Sequence, residues 1–168
     1  DWMTGGTYFV VRKIHMFAEM WDNLRLIEQE QTFGRDKRYG APLNVTAPTS
    51  GKDEFKPIDF KAKNKEGELE VPEDSHIAIV NPEQNKGRWM LRRGYNYTEG
   101  SDALGRLSAG LFFIAFVRDP RTNFYPILDK MTQKDALSEY LQHQARALFA
   151  IPAGIGQSDT MVGQALFS

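Results

Sequence analysis

Apolar residues along the chain follow several patterns that are typical of β-strands. Residues 7–16 (TYFVVRKIHM) are dominated by β-branched and aromatic side chains that alternate between two faces. Residues 110–118 (GLFFIAFVR) are apolar at nearly every position, which favours a central strand covered on both faces. Three shorter runs predict further strands: 75–80 (SHIAIV), 88–97 (RWMLRRGYNY) and 148–151. The first two of these short strands could pair as a hairpin with a long loop.

Two other stretches, 17–31 and 135–148, carry apolar residues at the three- and four-residue spacing of amphipathic helices. Between them, residues 32–71 show no sustained period and predict a long surface excursion. The resulting order is strand, helix, strand pair, strand, helix, strand. It predicts an α+β fold of the ferredoxin-like type, an antiparallel sheet with helices on one face.

The composition fits one globular domain. The chain has 168 residues, a formal net charge of -1 and 41% hydrophobic residues, so neither disorder nor a field that attracts nucleic acid is indicated. No apolar run approaches the roughly 18 residues of a membrane span, and the absence of cysteine excludes thiolate chemistry. Because the chain begins with Asp1 rather than Met, we expect a processed product or a piece of a longer protein.

Three histidines are candidates for chemistry, and their contexts differ. His15 lies in a predicted strand and His143 in a predicted helix, without partners at metal-ligand spacing, so both fit surface or packing positions. His76 opens an apolar strand and would point into the domain, which suits an axial ligand of a buried cofactor. A packing role for His76 stays open on these grounds.

Charged side chains in predicted elements are the other candidates. Arg92 and Arg93 are adjacent in a predicted strand, so one of them must face inward or towards a groove. An inward guanidinium needs an anionic partner, either a bound ligand or an ordinary carboxylate. Glu139, on the second predicted helix, could orient a histidine or simply face solvent. Nucleotide-binding glycine loops and the HExxH zinc motif are absent.

Six segments, taken together and in order, resemble the C-terminal half of a dye-decolourising (DyP-type) haem peroxidase, in particular its EfeB-type deferrochelatase/peroxidase branch. They cover nearly the whole chain. The segments are WMTGGTYFVVRKIHMFAEMWD (2–22), EQEQTFGRDKRYGAPL (28–43), DSHIAIVNP (74–82), MLRRGYNY (90–97), GLFFIAFVRDPRTNFYPI (110–127) and ALFAIPAG (147–154).

The resemblance implies two ferredoxin-like domains that hold haem b, of which residues 1–168 supply the second. It implies that His76 is the proximal iron ligand and that Arg92 is the distal arginine that helps to cleave the O–O bond of peroxide. It also implies that Glu139 is the proximal acidic residue, which raises the basicity of the histidine.

Further haem contacts are implied by the same resemblance. Asn81, Pro82 and Glu83 match positions along the haem edge, and Leu111 and Phe113 would line the haem pocket. Members of this branch often have arginine at the positions occupied here by Ala78 and Glu83. We therefore expect propionate neutralisation to be weaker or to fall to one of three other arginines, namely Arg35, Arg88 and Arg93.

The family's GxxDG segment, which carries the distal aspartate, is not in this sequence, and Asp53, Asp59 and Asp102 do not lie in such a motif. The expected partners are therefore an N-terminal half with that aspartate, hydrogen peroxide and a reducing substrate. Homo-oligomerisation stays open, and neither nucleic acid nor a membrane span is expected. By resemblance the protein would be periplasmic or secreted through the twin-arginine route.

The function that the resemblance implies is oxidation of dyes, phenolics or porphyrinogens by hydrogen peroxide. Two alternatives stay open at this point. One is a deferrochelatase module that releases iron from haem. The other is a ferredoxin-like module that binds no cofactor.

Overall fold

The computed structural model describes residues 3–157 and 159–167. Its short 3-10 or π-helical turns lie at Gly51–Phe55, Pro82–Asn85, Pro120–Phe124, Ala136–Tyr140 and Gln164–Leu166. The strands and α-helices in chain order are β1 (Thr7–Met16), α1 (Ala18–Asp22), α2 (Leu26–Phe33), α3 (His76–Val80), β2 (Leu91–Arg92), β3 (Tyr95–Ser101), β4 (Leu107–Val117), α4 (Tyr125–Lys134) and β5 (Leu141–Ile151).

The strands form one sheet in the order β2-β4-β1-β5, with β3 also paired to β4. Strand β4 is antiparallel to β1 on one side and to β2 and β3 on the other. Arg92 lies opposite Ala115 and Tyr95 opposite Phe112, so β2 and β3 continue one register along the same edge of β4. This antiparallel sheet with helices confirms the predicted α+β, ferredoxin-like class and the central place of 110–118.

The register divides the sheet's side chains between two faces, because neighbours in a strand point to opposite sides. The Arg92 face carries the most deeply buried residues of the sheet and comprises Val10, Arg12, Ile14, Arg92, Leu111, Phe113, Ala115 and Val117. The Phe112 face carries large apolar residues that are mostly half-buried or exposed, namely Phe9, Leu91, Tyr95, Phe112 and Phe116.

The chain divides into two compact units. The sheet unit comprises Asp1–Met16, Arg88–Pro126 and Gln142–Ser168, and the helical unit comprises Phe17–Gly87 and Ile127–Leu141. The long segment at 32–71 belongs to the helical unit. It contains one 3-10 helix and two isolated bridges, but Ala41 and Val71 are buried, so parts of it pack inside the unit rather than at its surface.

The predicted strand 75–80, and with it the predicted hairpin, is wrong: residues His76–Val80 form helix α3. The Ile79 amide donates to the Ser75 carbonyl at 3.0 Å, and the Asn81 amide donates to the Ile77 carbonyl at 3.1 Å. Ile77, Ala78 and Ile79 are all buried. A short apolar run buried on all sides does not distinguish strand from helix by its pattern, and tertiary packing decides.

The predicted helix 135–148 is also wrong. Its first residues form the 3-10 turn Ala136–Tyr140, and the rest belongs to β5, which is hydrogen-bonded to β1 at the sheet edge. Gln, Ala and Arg in this stretch favour a helix, but pairing with β1 outweighs that weak preference. The predicted helix 17–31 is instead two helices, α1 and α2, and α4 was not predicted.

Candidate functional site

Helix α3 presents His76 at its first turn. The preceding residue, Ser75, is fully buried, and its hydroxyl donates to the Pro72 carbonyl at 2.7 Å. The next residues, Ile77 to Ile79, are buried and anchor the turn by apolar packing. The His76 side chain keeps 24% of its surface exposed, so the backbone is fixed while the ring stays accessible.

The His76 ring is held by a buried carboxylate. Its Nδ1 lies 2.7 Å from Oδ2 of Asp135, whose side chain is only 1% exposed. A carboxylate oxygen accepts, so Nδ1 carries the proton and Nε2 keeps the lone pair that can bind a metal. This is the arrangement by which proteins fix the tautomer of a ligating histidine and raise its basicity.

Backbone hydrogen bonds bring Asp135 to the histidine. The Ala136 amide donates to the carbonyl of Asp74 at 2.9 Å, which ties the two segments side by side. The second carboxylate oxygen of Asp135 accepts from the Leu137 amide at 3.0 Å and so caps the following 3-10 turn. Asp135 is therefore fixed at both oxygens.

The carboxylate that contacts His76 in the structure is Asp135, not Glu139, which the resemblance puts in the proximal acidic position. Glu139 is exposed in the turn Ala136–Tyr140, four residues further along, whereas Asp135 is the carboxylate that contacts His76. Sequence reasoning missed Asp135 because it assigned this stretch to a helix face. The available signal was an Asp directly before a helical turn, the position of a capping residue.

The C-terminal end of α2 also contacts the histidine and its neighbours. The Phe33 ring meets the His76 ring edge-on, with centroids 6.2 Å apart. Gly34 ends α2 in the left-handed region (φ 78°). A Cβ added there would collide with the Ile77 side chain and lie 2.8 Å from the Ser75 hydroxyl. This close approach is a second support for the His76 turn that the sequence analysis did not single out.

The residues expected along the haem edge follow α3. Asn81 is half-buried, and its side-chain oxygen accepts from the Glu83 amide at 2.9 Å, which caps the turn that Pro82 begins. Pro82 and Glu83 are exposed. All three thus lie directly beyond the His76 helix in the helical unit.

The remaining expected site residues lie in the sheet unit. Arg92 is exposed, and Leu111 and Phe113 are half-buried, all three on the Arg92 face. The Leu111 side chain covers Gly94, where an added Cβ would lie 2.7 Å from its Cδ1. The Phe113 ring lies 6.3 Å from the Phe124 ring. This face therefore combines an accessible guanidinium with an apolar, aromatic lining.

The three arginines considered for propionate neutralisation all have acceptors within their own units. Arg35 donates to the carbonyls of Gly40 and Glu54. The Arg88 Nε donates to the Thr122 carbonyl at 2.9 Å. The Arg93 Nε donates to the Tyr95 hydroxyl at 2.8 Å. A ligand carboxylate would have to compete with these contacts.

Within residues 3–157 and 159–167, no group of three or more His, Asp or Glu side chains could enclose a metal ion. His76 is instead a single imidazole donor with a carboxylate behind it. A protein holds haem iron by such a single axial histidine, because the porphyrin supplies the other nitrogens. The donor set at His76 fits haem.

Comparison with solved structures defines the class. The chain superimposes on DtpA from Streptomyces lividans, in a structure described as an oxyferrous/water mixed complex, with a TM-score of 0.91 and 40% identity over 99% of this chain. It matches a DyP-type peroxidase from Streptomyces coelicolor with a TM-score of 0.90 and 40% identity over 99% of this chain. The fold is that of a ferredoxin-like domain from this class of peroxidase.

The chain belongs to the family described as Dyp-type peroxidase, C-terminal, whose model matches residues 1–156. It is 40% identical over 90% of its length to a dye-decolorizing peroxidase of Thermobifida fusca (strain YX), and 34% identical over 98% to a deferrochelatase of Yersinia pestis. It spans 34% and 36% of those two proteins, and 44% of both Streptomyces structures.

Proposed function

We propose that this protein is a haem-dependent peroxidase of the DyP type, which uses hydrogen peroxide to oxidise dyes, phenolics or porphyrinogens. The group that the protein would bind is haem b, and His76 would hold it through its Nε2. The observation that carries the proposal is the His76–Asp135 pair, in which a buried carboxylate 2.7 Å from Nδ1 leaves Nε2 as the donor. Membership of the Dyp-type peroxidase family supports it.

Two residues of the chain have proposed electrostatic roles: Asp135 acts on Nε2 of His76, and Arg92 acts on the negative charge of the peroxide. Haem, when bound, supplies an iron centre that exchanges electrons with peroxide and with the reducing substrate. Asp135 holds the Nδ1 proton of His76 and so increases the electron density at Nε2. Arg92 is proposed to stabilise the negative charge that develops on the departing peroxide oxygen, which a guanidinium does without losing its own proton.

A complete reaction also needs an acid–base group that moves the peroxide proton. We propose that an N-terminal domain supplies it as an aspartate, because this chain spans less than half of its structural neighbours. Asn81, Pro82, Glu83, Leu111 and Phe113 are proposed haem contacts. Their support is the resemblance, together with the turn beyond α3 and the apolar Arg92 face.

The deciding experiment replaces His76 with alanine and titrates the purified protein with haem. We expect the variant to lose the Soret band of histidine-ligated haem, because the chain's axial donor is removed. His15→Ala, on the Phe112 face of β1 and so on the opposite side of the sheet from Arg12 and Arg92, is the control and should bind haem as the wild type does. Stoichiometric, histidine-type haem binding by the His76 variant would contradict the ligand assignment.

Arg92→Ala tests the second role. We expect it to retain haem but to react with peroxide about a hundredfold more slowly or worse, because one electrostatic donor in an active site contributes a factor of about 10²–10³. Stopped-flow absorbance of the haem band measures the rate. Arg118→Ala, an exposed arginine just beyond β4, should react at the wild-type rate. A wild-type rate in the Arg92 variant would remove it from the mechanism.

A second candidate function is release of iron from haem, which is favoured by the identity to a protein named deferrochelatase. The same His76 serves both reactions, so residues alone do not separate them. Incubation with haem does: free iron with intact porphyrin indicates a deferrochelatase, whereas peroxide-dependent oxidation of a phenol or dye without iron release indicates a peroxidase.

We also propose an extracytoplasmic location, supported by the resemblance to the exported branch of the family. In the part of the chain that the structure describes, no helix has the length and apolar character to cross a membrane. Fractionation of the native host would test the location. Recovery of the protein in the cytoplasmic fraction alone would refute it.

A further inference from the structure

Arg12 is a buried cation that lacks an anionic partner in the part of the chain that the structure describes. It lies on β1 with only 8% of its surface exposed. Its Nε is enclosed and has no hydrogen-bond acceptor, and it forms no ion pair within residues 3–157 and 159–167. Buried polar atoms are nearly always hydrogen-bonded, and buried charges are nearly always paired. The buried and unpaired guanidinium of Arg12 therefore needs a physical explanation.

The surroundings of Arg12 compensate its charge only in part. Its guanidinium lies 5.8 Å from the centroid of the Phe124 ring, a cation–π contact. Burial lowers the pKa of Arg12, and the nearby positive charge of Arg146 lowers it further. Burial and the Arg12 charge also lower the pKa of His143. The neighbourhood is thus positively charged and aromatic, which is a setting for an anion with an apolar body.

Position on the sheet separates Arg12 from the other arginines. It lies directly opposite Phe113 in the register, on the same face as Arg92 and Leu111. Arg35, Arg88 and Arg93 are already engaged by carbonyl or hydroxyl oxygens. A carboxylate that pairs with Arg12 would satisfy a buried, empty donor rather than displace an existing partner.

We infer that Arg12 is the receptor for a carboxylate from outside the sheet unit, bound against the aromatic side chains of Phe113 and Phe124. Two sources share this chemistry: a haem propionate, or an acidic side chain of a further protein segment. Only the first source rests on the proposed function. In both cases the unpaired guanidinium lowers the stability of the ligand-free protein, and binding of the carboxylate removes this destabilisation.

The test uses the 168-residue chain and its Arg12→Met variant, which keeps the length and apolar stem but removes the charge. Arg118→Met, which removes an exposed arginine, is the control. The first arm titrates benzoate into the ligand-free chain and follows the Arg12 Nε–H resonance, identified by its absence in the variant. We expect this resonance to shift downfield as a hydrogen bond forms.

The second arm compares haem with haem dimethyl ester, which lacks both carboxylates. If the carboxylate is a propionate, Arg12→Met weakens haem binding about tenfold, as for loss of one charge-assisted contact, and leaves ester binding unchanged. A benzoate response without that haem dependence identifies a side-chain source instead. A haem effect alone also supports the inference.

The inference is overturned if the resonance does not respond to benzoate and both porphyrins bind the variant as they bind the wild type. Thermal unfolding adds an independent readout: removing an unpaired buried charge should leave the ligand-free variant as stable as the wild type or more so, whereas a purely structural arginine predicts a lower Tm. If the wild type binds no haem, the proposed function fails, and the benzoate arm still decides the role of Arg12.

Discussion

His76 and Asp135 show how one buried carboxylate determines what an imidazole can do. The ring alone offers either nitrogen to a metal, and only the 2.7 Å contact at Nδ1 assigns the proton and leaves Nε2 as the donor. Because Asp135 also accepts from the Leu137 amide, its orientation does not depend on the histidine. The pair is therefore preorganised before any ligand binds.

The variant Asp135→Asn tests this arrangement. Asparagine keeps the shape and an acceptor oxygen but loses the charge, so Nε2 becomes a weaker donor. We expect haem affinity or peroxide reactivity to fall about tenfold to a hundredfold, as for other outer-shell partners of ligating histidines, and the reduction potential of the iron to rise. Glu139→Gln, four residues away and exposed, is the control. If Glu139→Gln lowers either property and Asp135→Asn does not, the assignment of Asp135 is wrong.

At the scale of elements, the end of α2 packs against the start of α3 and so helps to hold His76 in place. The left-handed Gly34 lets the chain pass so close to Ser75 and Ile77 that no side chain fits between them. Phe33, one residue earlier, places its ring edge on His76. The helix end thus holds both the turn and the ring of the histidine.

We expect Gly34→Ala to destabilise the protein by about 2–3 kcal/mol through the combined strain of positive φ and overpacking, and to shift the Soret maximum of bound haem. Gly67→Ala is a matched control, because Gly67 also has positive φ (86°) but nothing within 4 Å of an added Cβ. Denaturant unfolding measures the difference between them. Equal destabilisation by the two substitutions would show that φ strain alone acts and that the contact with α3 does not.

At the scale of the whole molecule, the Phe112 face leaves several large apolar side chains exposed beside one another. Phe112 is 42% exposed and Leu91 is 63% exposed, and the neighbouring rings of Phe9 and Phe116 stack with centroids 4.9 Å apart. A sheet face of this kind lowers its free energy by covering apolar area. Both an N-terminal domain and a second copy of this chain stay proposals for what covers it.

The chain by itself should therefore self-associate. We expect Phe112→Lys to weaken that association about tenfold or more in sedimentation velocity and to reduce binding of an apolar fluorescent dye. Phe55→Lys, at a position 80% exposed in the helical unit, is the control for adding a charge at an exposed aromatic position. A monomeric wild type with no dye binding would contradict this prediction.

The sequence by itself determined the features that depend on a local pattern of residues. The alternation in 7–16 and the continuous apolar run in 110–118 predicted β1 and β4, because strand periodicity is short and both strands have buried sides. The ordered segments of the resemblance correctly identified the family. They also singled out His76, since the type and neighbours of a residue are visible without coordinates.

Only the tertiary structure decided the rest. It turned 76–80 into a helix and 141–151 into an edge strand, because burial and pairing with β1 outweigh weak local preferences. It placed Asp135 rather than Glu139 beside His76, through a backbone contact between segments about sixty residues apart in sequence. It also left the Arg12 Nε buried without an acceptor among residues 3–157 and 159–167. Contacts between charged side chains depend on how segments that are distant in sequence pack together. The sequence pattern alone does not give the distances between such segments.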